Sequence, residues 1–239
     1  MNTTTTTGTN FANTFLKISS TAYLILMGNL LIAVVTLPVS LLLVFVPLHQ
    51  AWLWLTLTFP MVFAGLAASF STFHAHVRQG SMTVIRDFFA GWARHAKKSL
   101  VIGGLCSLFL TVIGLDLYAL DGTAFGSLAA PIMVVTALIG ISAGFVAVGL
   151  VVAEDSISWR RAVTLGLFLA VRKGQWSILS LAGVALFAWM IWARPATALV
   201  LAPAPLVYFI WFNTGRILAS YMPSYDEMEP TPPVFESRS

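Results

Sequence analysis

Four histidines, His49, His74, His76 and His95, are the first residues to weigh for chemistry. His74 and His76 stand two apart, so on a helix their side chains diverge by about 200° and cannot readily share one metal ion. The chain has no HExxH, CxxC or phosphate-cradling glycine loop, and its GxSxG match, GISAG at 140–144, lies inside a long apolar run rather than at a strand-to-helix turn. It therefore offers no zinc-peptidase site, no nucleophile elbow and no means of hydrolysing ATP. The single cysteine, Cys106, excludes an internal disulfide and reads as a small buried thiol in an apolar run. The expectation is a non-enzymatic protein with no metal and no cofactor.

Polar groups inside apolar runs are the remaining suspects. Asn29 is expected to make an interhelical hydrogen bond, worth about 0.6–2 kcal/mol. Asp116 sits near the end of its apolar run and, if ionised, needs water or a partner such as Arg194. Asn213 and Arg216 fall near the end of the last run, where Arg216 can snorkel to the interface. Pro203 and Pro205, in LAPAPLV, must free backbone carbonyls. Broken helices near the midplane build substrate sites in transporters, although proline also simply kinks membrane helices.

The elements that hold these residues follow from composition. The 239 residues are 58% hydrophobic and only 9% charged, with a mean hydropathy of +0.87. Soluble domains carry about 25% charged residues, so the solvent around this chain is lipid. The net charge of +4 is then no argument for nucleic acid; basic residues in such a chain orient it and meet anionic headgroups. Six windows are long enough to cross a bilayer, approximately 23–45, 52–73, 100–120, 128–152, 176–192 and 197–218. The link VPLHQ makes the first two an antiparallel hairpin. Residues 1–16 lack the basic start and cleavage site of a signal peptide and read as a disordered polar tail. Residues 223–239, with EPTPPVFESRS, read as a second one. Between them, residues 17–222 form one all-α domain of six transmembrane helices.

Every basic residue except Arg194 then falls on one side of that six-span arrangement. The positive-inside rule places both termini in the cytoplasm. Trp52, Trp54, Tyr118, Trp189 and Trp192 fall at outer ends, and Tyr23, Trp92, Trp159 and Trp176 at inner ends, as headgroup-level rings should.

Two inner links carry most of the charge. In IRDFFAGWARHAKKSL, Ile85, Phe88, Phe89 and Trp92 share one helical face, with Ser81 as a plausible N-cap, Arg86, Arg94 and Lys97 pointing elsewhere, and Lys97 and Lys98 leading into the third span. An amphipathic elbow helix lying in the inner interface is expected, feeding into the third span. The second link repeats the design: Trp159, Val163 and Leu167 share a face, Ser156 or Ser158 could cap, and Arg160, Arg161, Arg172 and Lys173 supply charge. Aligning Arg94 with Arg172 also pairs His95 with Lys173, Ser99 with Ser177 and Leu100 with Ile178. That fits a parallel repeat over about 51–120 and 128–195; chance likeness between two basic membrane-edge segments fits equally well. The aromatic and basic residues of both elbows are candidate contacts for lipid or for a protein partner. Gly140 with Gly144, and Ala64 with Ala68, are helix-packing signals.

The stretch from Met27 to about Ala119 resembles the YesL-like family of bacterial integral membrane proteins. The likeness rests on Asn29 in GNLLIAVVTLPV, on FPMVFAGLAASF, and on IRDFFAGWARHAKKSLVIGG followed by a span with Asp116. The resemblance implies a bacterial cytoplasmic-membrane protein of unknown activity whose relatives are often encoded beside carbohydrate ABC-transporter components. It thus implies an accessory role in sugar uptake with transporter subunits as partners. No EAA-type coupling loop is present, which disfavours a permease proper. A secondary transporter with a site near the broken sixth helix is the alternative.

Overall fold

The computed structural model describes residue 23 and residues 26–46, 54–79, 83–194, 197–198 and 201–222. Both tails, Ser81, the VPLHQ link after Val46, and the side chains of Lys17, His49, Trp52, Arg78 and Arg238 lie outside the described residues. Within them all regular structure is helical. The elements are α1 (Leu26–Val35), α2 (Leu37–Phe45), α3 (Pro60–Gln79), α4 (Val84–Ala119), α5 (Ala124–Ala153), α6 (Trp159–Arg172), α7 (Gly174–Ala193) and α8 (Pro203–Ala219). Among the described residues, four helical stretches are long and apolar enough to cross a membrane: Trp54–Val77, α4, α5 and α7. This is an all-α protein of membrane type.

Prolines set the interruptions. Pro38 lacks the N–H that would continue the ladder from α1, so the chain turns at Thr36 and restarts as α2. Pro60 opens α3 after a turn at Phe59, and Pro203 opens α8. Between α4 and α5 the reversal is tight. Gly122 takes φ +74°, a left-handed conformation that glycine adopts without steric penalty. Thr123 caps α5 by accepting from the Gly126 N–H at 2.9 Å.

The first elbow is not a separate helix. α4 runs unbroken for 36 residues, about 54 Å at 1.5 Å per residue, so RDFFAGWARHAKKSL is the first half of the same rod that forms the third span. Its expected face is split, and Ile85 (48% exposed) stays outward. Phe88 is 1% exposed and lies in the core, while Phe89 (48%) and Trp92 (40%) face outward. The cause is Gly91: a Cβ there would lie 2.5 Å from the Ser71 Cβ. α3 packs backbone-close on the small-residue stripe of α4, and Phe88, one turn before Gly91, goes inside with it. The second elbow is a distinct helix, α6. Ser158 caps it, accepting from the Arg161 N–H at 3.4 Å. Its inward face is the small one, Ala162, Gly166 and Ala170 with Leu169, and Leu167 is exposed.

The same rule governs the rest of the bundle. α3 and α4 run antiparallel, with Gly91 beside Ser71 and Gly103 beside Pro60 and Phe63. α5 joins them with Gly140 against the Phe109 ring and Gly144 against the Phe63 ring. α6 crosses α5 where Gly166 meets Ala143 and Ala147. α8 meets α5 at Gly149–Thr214 and α3 through Phe73, whose ring lies 5.3 Å from Tyr208 and 6.0 Å from Trp211. α7 packs mainly on α8, with Gly183 against Phe209 and Leu206. The buried core gathers around residues 143–151 of α5, whereas the first half of α5 is almost wholly exposed and apolar. Such a surface fits a helix that faces hydrocarbon or another protein.

Glycine-to-alanine changes read this packing directly. Gly166→Ala places its Cβ 2.7 Å from the Ala143 carbonyl oxygen, a backbone atom that cannot rotate away. It should destabilise the purified protein by about 1–3 kcal/mol in thermal unfolding. Gly104→Ala meets nothing within 4 Å and should be neutral or stabilising by a few tenths to about 1 kcal/mol.

Candidate functional site

Two of the suspects from the sequence, Asn29 and the Pro203–Pro205 break, form one site. In an unbroken helix the Leu201 carbonyl would accept from the amide of residue 205, but Pro205 has none. The Asn29 side chain supplies the missing donor: its Nδ2 donates to the Leu201 carbonyl at 3.3 Å. Its Oδ1 accepts from the Ala204 N–H at 2.6 Å. One buried amide thus substitutes for two backbone partners at the start of α8. The close approach is permitted by Gly28, whose Cβ, if present, would lie 3.3 Å from the Ala204 side chain. The arrangement consumes both polar groups of Asn29 and stitches the first apolar helix to the last.

A second polar cluster joins α4 to the link after α5. Asp155 forms an ion pair with Arg94, and the Asp155 carboxylate also lies 3.4 Å from Nδ1 of the buried His95. Lys98 donates to the Asp155 main-chain carbonyl. Arg94 and Lys98, read from sequence as surface contacts, therefore fasten the end of α5 to the middle of α4. Ser156 closes the link by donating to Glu154 at 2.8 Å. Sequence reading missed Asp155, although it lies in the same short link as the α6 cap and opposite the cations in charge.

The other candidates are dispersed. Lys97, Arg160, Arg161 and Arg172 are exposed and Lys173 is half-buried. Trp159 is half-buried under the Arg160 guanidinium, 5.2 Å from its ring. Asp116 is exposed near the end of α4 and makes no ion pair with Arg194 among the described residues. Deep between α7 and α8, Asn213 is fully buried and donates to Ser180 Oγ at 3.2 Å; Ser180 donates on to the Trp176 carbonyl at 3.1 Å. The Asn213 Oδ1 and the Ser99 and Ser142 hydroxyls have no partner among the described residues.

A groove of about 700 Å³ lies between residues 55–59 and the second half of α4, lined by Leu55, Phe59, Leu110, Leu115 and Tyr118. Three hydroxyls at its wall are satisfied locally: Thr56 and Thr111 share a 2.9 Å bond, Ser107 donates to the Thr56 carbonyl at 2.7 Å, and Thr111 to the Ser107 carbonyl at 2.8 Å. The groove reaches neither Pro203 nor Pro205. Among the described residues no three metal-ligating side chains cluster. No family model, curated protein or solved structure matches this chain.

A double-mutant cycle tests the Asn29 staple. Asn29→Ala should destabilise by about 1–3 kcal/mol, because two backbone groups are left buried and unpaired. Pro205→Ala returns an N–H to the Leu201 carbonyl, so the double variant should lose clearly less than the sum of the two single losses. Additive losses in denaturation of the detergent-solubilised protein would remove the staple.

The ion pair should matter less. Arg94 and Asp155 are both well exposed, and Lys98 holds the main chain rather than the carboxylate. Asp155→Asn is expected to cost less than about 1 kcal/mol, with a measurable loss of protection against proteolysis in the 154–158 link.

Proposed function

We propose that the protein is a non-enzymatic, six-span accessory protein of a bacterial cytoplasmic membrane, with both termini in the cytoplasm. It associates with the subunits of a carbohydrate ABC importer. The observation that carries the non-transporting reading is the Asn29 staple. The backbone groups that a broken helix offers to a substrate are here already bonded to a side chain of the same protein. A secondary transporter with its site at Pro203–Pro205 would need them free.

The six-span arrangement draws support from length and from pairing. α1 and α2 together run from Leu26 to Phe45, which at about 20 residues matches one crossing. α8 continues from the helical residues around Ala198 through the stapled break. Contacts bring the charged segments to one end of the bundle. Arg94 and Lys98 meet Asp155 at the end of α5, and Arg216 near the end of α8 lies over Trp176 at the start of α7. Arg194 sits at the opposite end of α7. That segregation fits a cytoplasmic face rich in cations. The importer association rests on the resemblance of residues 27–119, and the outward rings Phe89 and Trp92 on α4 give a partner its anchors.

Two measurements test this reading. Reporter fusions after Ser239 and after Arg194 should score cytoplasmic and periplasmic respectively; the reverse pattern overturns the topology. Purification in several mild detergents should co-recover an ABC permease or ATPase subunit, and Phe89→Ala with Trp92→Ala should lower that recovery at least fivefold. Consistent absence of such subunits would refute the association while leaving the topology intact.

A further inference from the structure

Residues 156–225 contain no aspartate or glutamate, and α6 lies within that run. Gly166 presses on Ala143 and Ala147, and Ala162, Leu169 and Ala170 are buried beside it, so one side of α6 is fixed against α5. The other side is exposed. Arg160, Arg161, Thr164, Leu167, Phe168 and Val171 fall within an arc of about 120° at 3.6 residues per turn.

Cations and apolar groups divide that arc between them. Arg160 and Arg161 stand side by side on the first turn, with the Arg160 guanidinium 5.2 Å from the Trp159 ring. Neither forms an ion pair among the described residues. The nearest acids in sequence are occupied, Asp155 by Arg94 and His95 and Glu154 by the Ser156 hydroxyl. Further along, Leu167, Phe168 and Val171 are exposed and apolar. Thr164, between the two groups, returns its hydroxyl to the Arg160 carbonyl at 3.1 Å and so makes no demand on water. At the end of the helix the Arg172 guanidinium leans back over Phe168 at 5.9 Å, the posture of a cation whose stem lies on an apolar surface.

A free anion would use the arginines and leave the apolar strip bare. A purely apolar partner would bury two unpaired guanidinium groups, which is costly. An anionic lipid satisfies both ends, with phosphate for the first turn and acyl chain for the strip. The bilayer is also at hand, because α6 joins α5 to α7, both of membrane-crossing length. We propose that the outward face of α6 seats on anionic phospholipid, with Arg160 and Arg161 on the phosphates and Leu167, Phe168 and Val171 among the acyl chains. This contact is separate from the α4 rings assigned to a protein partner and does not depend on the importer association. Charge supplies the preference over zwitterionic lipid, whose ammonium group opposes the arginines; each cation near a lipid surface is worth about fivefold in binding.

The test uses the full chain in nanodiscs, labelled with nitrobenzoxadiazole through Thr164→Cys. Buried Cys106 is removed as Cys106→Ala, or kept as an unlabelled thiol if that change unfolds the protein. Mole for mole, doxyl-labelled phosphatidylglycerol should quench the probe at least about fivefold more effectively than doxyl-labelled phosphatidylcholine. Arg160→Gln/Arg161→Gln should bring the two lipids to parity while leaving quenching itself in place. Arg194→Gln, at the opposite end of α7, should keep the full preference. Absence of quenching by either lipid would place the strip in water or against protein and overturn the proposal. Parity between the lipids with both arginines present would overturn it too. So would a preference that survives the double variant, or one that Arg194→Gln also abolishes, since net charge and not α6 would then set it.

Discussion

Inside a bilayer, apolar side chains gain little by leaving lipid for protein, so helices associate where their backbones can come closest. Here that closeness is concentrated on one seam. Gly91, His95, Ser99, Gly103 and Ser107 recur at four-residue intervals along α4 and are all buried, and Gly91 and Gly103 meet Ser71 and the Pro60–Phe63 turn of α3. The seam decides which face of α4 is inside. It buries Phe88, directs His95 toward Asp155, and leaves Phe89 and Trp92 outside. α5 is added by the same device at Gly140 and Gly144, and α6 and α8 then cover α5 at Gly166 and Gly149.

Once helices are held so closely, most polar groups between them bond to a neighbour, Asn213 Oδ1 and the Ser99 and Ser142 hydroxyls excepted among the described residues. Ser69 and Thr72 return their hydroxyls to the Gly65 and Ala68 carbonyls of their own helix at 2.9 Å. Ser177 reaches across the α6–α7 junction to the Ala170 carbonyl at 3.0 Å, which secures the turn that carries Arg172 and Lys173. Asn29 does more, because it serves a helix that its own sequence has broken. The polar interior is therefore largely spent on architecture, and chemistry directed outward is left to the cationic and aromatic surfaces at the ends of the helices.

Much of the architecture was legible in residue order. Hydropathy located the long helices, and residue type offered Ser156 or Ser158 as the α6 cap, of which Ser158 serves, since each depends on local composition. Asn29 and the paired prolines could be marked as unusual one by one. Their union could not be read, because it needs the first and last helices side by side. The orientation of Phe88 failed for a different reason. Ring periodicity identifies an apolar face, but in a membrane the small-residue face competes for the interior and prevails. The spacing of Gly91, Ser99, Gly103 and Ser107 was the available signal. Continuity of α4 was hidden as well: charges from Arg86 to Lys98 suggest a boundary, yet no proline or left-handed glycine interrupts that stretch.

The unbroken length of α4 has a mechanical consequence. A rod of about 54 Å exceeds the roughly 40–45 Å from headgroup to headgroup across a bilayer. It must therefore either lean or project its first turns into water, and the balance shifts with local membrane thickness. Gly91 and Gly103 hold the rod against α3, and Asp155 meets it at Arg94. Any lean of α4 is therefore shared by the helices packed on it.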